Sequence, residues 1–112
     1  MPYDEGLAER LREQFQDRSD VEEKKMFGGL CFMLSNHMCC GIVKDTLMAR
    51  VGTDNYKKCL ARKHTREMDF TGKAMKGMVY VTPEGIESDT DLAEWVGFCS
   101  SFVESLPPKK PK

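Results

Sequence analysis

The sequence predicts an α+β domain in which an antiparallel sheet packs against helices on one of its faces. Three observations support this fold class. Apolar residues recur at helical spacing near both ends of the chain, short apolar runs separated by turn residues lie between them, and 112 residues suffice for one domain with one core. We therefore expect two layers in the order helix, strands, helix, strands, helix.

The first helix is predicted over residues 4–18. Leu7, Leu11 and Phe15 recur there at four-residue spacing, while charged side chains fill the other faces. A short strand over residues 22–27 is expected to follow the helix.

A meander of three strands is predicted next, over residues 30–34, 38–43 and 46–51. The residues that separate them include Ser35-Asn36 and Lys44-Asp45, which are of turn-forming types. Two-residue loops join antiparallel strands and fix their register.

This register assigns side chains to the two faces of the sheet. With two-residue loops Met33 pairs with Met38 and Phe32 pairs with Cys39, and each pair lies on one face because side chains alternate. The wholly apolar face is expected to be the core and contains Cys31, Met33, Met38, Cys40, Ile42, Leu47, Ala49 and Val51. The other, mixed face contains Leu30, Phe32, Leu34, His37, Cys39, Gly41, Val43, Thr46, Met48 and Arg50.

The second half of the chain predicts two more helices. One covers residues 54–62 after an expected N-cap at Thr53, and strands over 67–70 and 78–81 follow it, separated by a loop. The last helix has the clearest pattern, since a single apolar stripe follows three-four spacing until Pro107-Pro108. Its stripe consists of Leu92, Trp95, Val96, Cys99, Phe102, Val103 and Leu106, preceded by the capping pair Ser88 and Asp91.

We expect one domain over residues 1–106 and a disordered Pro/Lys tail over residues 107–112. No apolar run approaches the ~20 residues of a membrane-spanning helix, and the N-terminus lacks the basic-then-apolar pattern of a signal peptide. Five cysteines, an odd number, fit reduced thiols in such a protein. The sequence therefore predicts a cytoplasmic location and no membrane contact.

Cys39 is the candidate reactive thiol. In the predicted register it faces outward beside Arg50, with His37 two residues away, and a neighbouring cation favours the thiolate. Cys39 and Cys40 are not expected to bind one metal ion, because adjacent strand residues point to opposite faces. No metal or other cofactor is expected. The alternative is that all five cysteines are small apolar core residues.

Charge is unevenly distributed along the chain, although the formal net charge is only -1. Residues 44–76 carry nine basic and four acidic side chains, whereas both flanking segments are acidic. Gly-flanked lysines in the loop over residues 71–77 add to this basic region. A basic rim for an anion or a nucleic acid would consist of Lys57, Lys58, Arg62, Lys63, Arg66, Lys73 and Lys76. The alternative is an ordinary surface of solvated charges and internal ion pairs.

The mixed face of the sheet is the candidate partner surface. Large apolar side chains on a face without helices form a patch of the kind that binds a partner or a second copy. Its candidate binding residues are Leu30, Phe32, Leu34, Met48 and Arg50. The alternative is that a helix or the tail covers this face.

Several short segments together resemble one known family. They are Met26-Phe27-Gly28-Gly29, Met38-Cys39-Cys40-Gly41, the run 47–52, the run 68–72, Met75-Lys76-Gly77 and Tyr80-Val81. In this order and spacing the sequence resembles the N-terminal domain of the TfoX/Sxy competence regulators and its stand-alone relatives. The resemblance implies a two-layer fold of the secretion-chaperone-like type.

The resemblance also implies a role in transcription. The longer family members act on competence genes as coactivators alongside the cyclic-AMP receptor protein, and the family supplies no catalytic residues. The leading hypothesis is therefore a non-enzymatic regulatory or adaptor domain that binds a protein, either transcription machinery or a second copy as a homodimer. Direct nucleic-acid binding by residues 57–76 is the second hypothesis. A thiol-based enzyme or redox sensor using Cys39 is the third.

Overall fold

Six antiparallel strands form one open sheet in the computed structural model, which describes residues 3–26, 28–70 and 73–107, without the side chains of residues 26, 69, 70 and 73–76. The strands are β1 (Val21–Met26), β2 (Gly29–Leu34), β3 (His37–Val43), β4 (Thr46–Arg50), β5 (Thr65–Phe70) and β6 (Lys73–Val81). Their order across the sheet is β1-β2-β3-β4-β6-β5. The predicted loop over residues 71–77 is thus wrong from residue 73 onward, because β6 already begins there.

Three α-helices accompany these strands in the described residues: α1 (Glu5–Gln14), α2 (Thr53–Leu60) and α3 (Asp89–Glu104). This confirms the predicted α+β class and the order helix, strands, helix, strands, helix. Ser88 caps α3, since its Oγ accepts a hydrogen bond from the Asp91 amide at 3.0 Å. Thr53 does not cap α2, because it is the first helical residue and the N-cap is Gly52.

The first hairpin turn has the predicted length. Ser35 and Asn36 both have positive φ, 50° and 70°, as a type I′ turn requires. The pairs Leu34–His37 and Met33–Met38 follow from it and are confirmed.

A β-bulge then shifts the register between Phe32 and Met33. Phe32 pairs with Cys40 rather than with Cys39, and Leu30 pairs with Ile42. The predicted pairing beyond Met33 is therefore wrong, because the length of a turn carries no information about an extra residue farther along the strand. In the second hairpin the pairs Ile42–Leu47 and Cys40–Ala49 agree with the prediction.

The register shift moves three candidate partner residues into the core. Leu30, Phe32 and Leu34 are 4%, 1% and 1% exposed and lie in the cluster that the three helices share with the sheet. Their predicted place on an open outer face is wrong, since a one-residue shift exchanges the two faces of a strand.

The opposite face of the sheet carries a second buried cluster, which we call the methionine cluster. It consists of Cys31, Met33, Met38, Met48, Met68 and Met78, with Val43 and Tyr80 packed against it. Cys31, Met33 and Met38 were predicted to lie on the core face with Ile42. This prediction is wrong, again because of the bulge. Met48 lies on the face that was predicted for it, opposite the core face with Ile42, but it is fully buried.

The strand β1 forms one edge of the sheet, and its outward surface is strongly charged. Four consecutive side chains, Glu22 to Lys25, are exposed, and they alternate between the two faces. Glu23 binds the guanidinium of Arg12 through two contacts of 2.8 Å, which attaches α1 to this edge.

No helix in the described part of the chain is long and apolar enough to cross a membrane.

Candidate functional site

The β-bulge places two consecutive cysteines on the same face of the sheet. Cys39 is the extra residue of β3, and both it and Cys40 belong to the helix-covered core with no exposed surface. The prediction that they lie on opposite faces is wrong, because strict alternation is interrupted at a bulge.

The helix α3 brings a third thiol to this position. Cys99 lies on the buried side of α3, which packs against β3, and it has no exposed surface either. Cys39, Cys40 and Cys99 belong to the same buried cluster, and the pKa values of all three are shifted by hydrogen bonding among their thiols. We call Cys39, Cys40 and Cys99 the thiol cluster.

These hydrogen bonds separate the acidities of the three thiols. The pKa of Cys39 is lowered, first by the hydrogen bond from Cys40, then by that from Cys99, and also by the Ser100 hydroxyl and the charge of Arg18, against the opposing effect of burial. The pKa values of Cys40 and Cys99 are raised well above the ordinary range, because each donates to Cys39 and is buried. Within the cluster, negative charge is therefore most stable on Cys39.

The remaining two cysteines behave differently. Burial raises the pKa of Cys31, in the methionine cluster, to about 11, and it also raises the pKa of Cys59 on α2. Cys39 is thus the one cysteine of the five whose pKa is lowered.

A surface cleft with a cavity volume of about 380 Å³ lies where the β2–β3 turn faces the end of α3. Its lining includes Arg18, Asp20, Ser35, His37, Val103 and Glu104. His37 is two residues before Cys39, Val103 is one helical turn after Cys99, and the charge of Arg18 acts on the Cys39 thiol. We call this opening the Arg18 cleft.

Hydrogen bonds and ion pairs hold the rim of the Arg18 cleft. Arg18 Nε lies 3.3 Å from a carboxylate oxygen of Asp20, and its Nη1 lies 3.9 Å from Glu104. Asp20 also accepts a hydrogen bond of 2.7 Å from the Ser35 hydroxyl. This bond is the first cause of the lowered pKa of Asp20, and the Arg18 bond is the second. His37 Nε2 lies 2.9 Å from the carbonyl oxygen of Pro107.

The cation near Cys39 is Arg18, whereas the sequence predicted Arg50. Arg50 instead donates a hydrogen bond of 3.1 Å to the Met38 carbonyl, and its guanidinium lies 5.2 Å from the Phe102 ring centroid. The roles of Arg18 and Cys99 were missed, since they belong to segments far from Cys39 in sequence. The bulge that brings them together has no signal in residue spacing.

Two of the predicted basic residues, Arg62 and Arg66, take part in separate contacts. Arg62 is paired with Glu94 and lies over the rings of Trp95 and Phe98, at 4.8 and 5.7 Å from their centroids. Arg66 lies 5.0 Å from the ring centroid of Tyr80 and pairs with that residue across β5 and β6, beside the methionine cluster.

The other basic residues are distributed as follows. Lys57, Lys58 and Lys63 are exposed on or just after α2, and Lys58 Nζ lies 5.6 Å from the Phe98 ring centroid. The side chains of Lys73 and Lys76 lie outside the described residues, although the backbone places both in β6.

These contacts give α2 and α3 a joint outer surface, which we call the α2–α3 surface. It contains the half-buried rings of Tyr56, Phe98 and Phe102 and the exposed Lys57 and Lys58, of which Lys58 lies over the Phe98 ring. Tyr56 also lines a cavity of about 410 Å³ between α2 and β5, and its buried hydroxyl has no hydrogen-bond partner among the described residues.

No group of three or more His, Cys, Asp or Glu side chains in the described ranges is arranged to hold a metal ion.

Among the comparisons with known proteins, a match to one protein family supports this architecture. No curated protein and no solved structure matched the sequence. The family model for the TfoX N-terminal domain matches residues 13–102, a segment that begins within α1 and ends within α3. This match covers most of the 112 residues, and the chain belongs to the TfoX N-terminal domain family.

Proposed function

We propose that this domain is a non-enzymatic adaptor that acts in transcription through contacts with a protein partner. The observation that carries the proposal is membership of the TfoX N-terminal domain family, which supports a competence-related regulatory domain. The partner that the family resemblance suggests is the cyclic-AMP receptor protein bound to its DNA site.

The α2–α3 surface is the proposed contact. Aromatic rings and guanidinium groups contribute most strongly to protein interfaces, because they bury a large area and keep a polar end. Phe98 is flanked by Lys58 and Arg62, so this surface combines a half-buried ring with positive charge. We therefore expect a partner surface with acidic side chains around an apolar centre.

The residues predicted for this role from sequence are buried or half-buried. Leu30, Phe32 and Leu34 form the core, and Met48 is buried within the methionine cluster. Arg50 remains half-buried beside Phe102, at the margin of the α2–α3 surface.

The test measures the dissociation constant between the domain and the receptor–DNA complex by fluorescence anisotropy at a fixed salt concentration. The double variant Lys57→Glu/Lys58→Glu is expected to weaken binding at least about 10-fold, because it reverses two charges at the proposed contact. The matched control, Lys24→Glu/Lys25→Glu, makes the same charge change on β1, at the far edge of the sheet, and is expected to bind normally.

Two outcomes would remove the proposal. One is the absence of binding to the receptor–DNA complex at low salt. The other is equal binding to duplex DNA without the receptor, with an affinity that falls steeply as salt rises and is lost in a Lys73→Glu/Lys76→Glu variant. That second result would support direct nucleic-acid binding. The structure offers less for it, since Arg62 is neutralised by Glu94 and Arg66 lies beside the opposite face.

A further inference from the structure

The edge strand β1 has no partner strand on its outer side in the described part of the chain. The Ser35 amide donates a hydrogen bond of 3.0 Å to the Asp20 carbonyl, so the backbone at position 20 points toward β2. The backbone groups of successive residues in a strand point alternately to its two sides. Those of Val21, Glu23 and Lys25 therefore point away from the sheet and can pair with a further strand.

The charges of β1 are ordered as two acidic residues followed by two basic residues, and all four are exposed. Glu22 and Lys24 are opposite two residues of the methionine cluster across β1 and β2, so they share the face away from the helices. Glu23 lies on the helix side, where it binds Arg12. One face of the edge thus presents a carboxylate and an ammonium group two residues apart, a pattern that a reversed copy of the same strand complements.

We propose that two copies of this domain pair through β1 in antiparallel register about a two-fold axis, with Glu23 opposite Glu23 of the second copy. The two sheets then form one continuous sheet. This proposal does not depend on the adaptor function, because α2 packs on β5 and β6, at the opposite edge of the sheet. The α2–α3 surface of each copy therefore stays clear of the strand pairing.

Two-fold symmetry restricts the register of this pairing. An axis perpendicular to the sheet reverses the strand direction and keeps both helix layers on one side, so each residue is opposite a residue of its own face. With Glu23 at the axis, Glu22 of each copy is opposite Lys24 of the other copy. Opposite charges directly across antiparallel strands stabilise the pairing, whereas like charges in that position destabilise it.

The two Glu23 side chains at the axis are tolerated because of α1. Each carboxylate is already bound by Arg12 through two contacts of 2.8 Å, so a guanidinium group lies beside each of them. A register shifted to the next two-fold position would instead place Lys24 opposite Lys24. No carboxylate of the described residues lies within ion-pair distance of Lys24 to offset that repulsion. The register centred on Glu23 is therefore favoured.

Sedimentation velocity of the full chain over a concentration series tests the pairing. The contact involves six residues of each copy, fewer than the ~20–30 residues a side of a standard interface, so we expect a weak dimer. The wild type is expected to change from a 12.8 kDa monomer to twice that mass as the concentration rises into the millimolar range. Glu22→Lys and Lys24→Glu are each expected to raise the dissociation constant at least about 10-fold, because each places like charges opposite each other in both pairs.

An equimolar mixture of the two single variants tests the register itself. In the mixed dimer opposite charges again lie across from each other in both pairs, so association is expected to return to near the wild-type level. The matched control Lys63→Glu makes the same charge change just before β5, at the opposite edge of the sheet, and is expected to dimerise as the wild type does. Circular dichroism verifies that each variant is folded.

Three results would overturn the proposal. They are a wild-type chain that stays monomeric into the millimolar range, a dimer that neither single variant weakens, and a mixture of folded variants that fails to restore association. None of them bears on the adaptor function, since that proposal is tested by receptor binding of variants on the α2–α3 surface.

Discussion

Gly41 and Met48 lie opposite each other across β3 and β4, and the Cε atom of Met48 fills the space above Gly41. A Cβ atom at position 41 would lie 2.8 Å from that methyl carbon and 3.1 Å from the sulfur of Cys31. It would also lie 2.8 Å from the carbonyl oxygen of Leu30, which the sheet holds in place. The methionine cluster therefore packs directly on the backbone of β3.

Gly41→Ala is expected to lower the free energy of unfolding by about 1–3 kcal/mol, because an added methyl group overpacks this site. Gly97→Ala is the matched control. A Cβ atom there meets nothing within 4 Å, and alanine favours the helix by roughly 0.5–1 kcal/mol over glycine. Urea unfolding of both variants measures the difference, and equal stability of the two would contradict the packing at Gly41.

Phe32→Ala is expected to destabilise the fold by about 3–5 kcal/mol, because it removes a buried ring that stacks on Phe15 at 5.7 Å. Thermal unfolding by circular dichroism measures this loss. Phe98→Ala removes the same side chain from a half-buried position and is expected to cost less. A folded Phe32→Ala protein of wild-type stability would show that Phe32 lies on an open face.

Arg62→Ala is expected to shift the emission of Trp95, the single tryptophan of the chain, to longer wavelength. The guanidinium covers one side of that ring, so its removal admits water, and the lost contact costs about 1 kcal/mol. Lys63→Ala removes an exposed charge next in sequence and serves as the control. Identical spectra for the wild type and Arg62→Ala would exclude this contact.

Asp20→Asn is expected to reduce stability at neutral pH, and the reduction is expected to disappear in acid. The folded pKa of Asp20 is lowered, so its contribution is present above the unfolded value of about 3.9 and is lost as pH falls through the folded value. We expect the loss of stability at neutral pH to be only roughly 0.5–1 kcal/mol, since 38% of the Asp20 side chain is exposed and solvent screens its charge.

Unfolding of Asp20→Asn and wild type is compared at pH 7 and near pH 2. Asp17→Asn makes the same charge change at an exposed position and serves as the control for the change in net charge. A stability difference that grows in acid would have the wrong sign for this account.

The sequence predicted the elements better than the faces of the sheet. Local patterns such as the stripe from Leu92 to Val103 and the turn Ser35-Asn36 depend on neighbouring residues, and both agree with the structure. The face of the sheet to which a strand residue points depends instead on every residue between it and the turn. One extra residue at Cys39 therefore exchanged the predicted positions of Phe32 and Met33.

The candidate site was predicted only in part for the same reason. Cys39 was identified as a candidate thiol, but its expected neighbour Arg50 interacts elsewhere, and Arg18 and Cys99 take that place. Contacts between residues sixty positions apart arise from helix packing, which a single sequence does not encode in spacing. The methionine cluster was missed too, because five methionines spread over five strands form no local pattern.

The charged edge strand β1 has a consequence for how the domain behaves at high concentration. A sheet edge exposes unpaired backbone groups that readily template another strand, which is the first step of aggregation. Here an incoming strand would meet Glu22, Glu23, Lys24 and Lys25 in turn, on both faces. An apolar strand added to this edge would have to desolvate these four charges. The charged edge is therefore expected to oppose the pairing with apolar strands from which fibres grow.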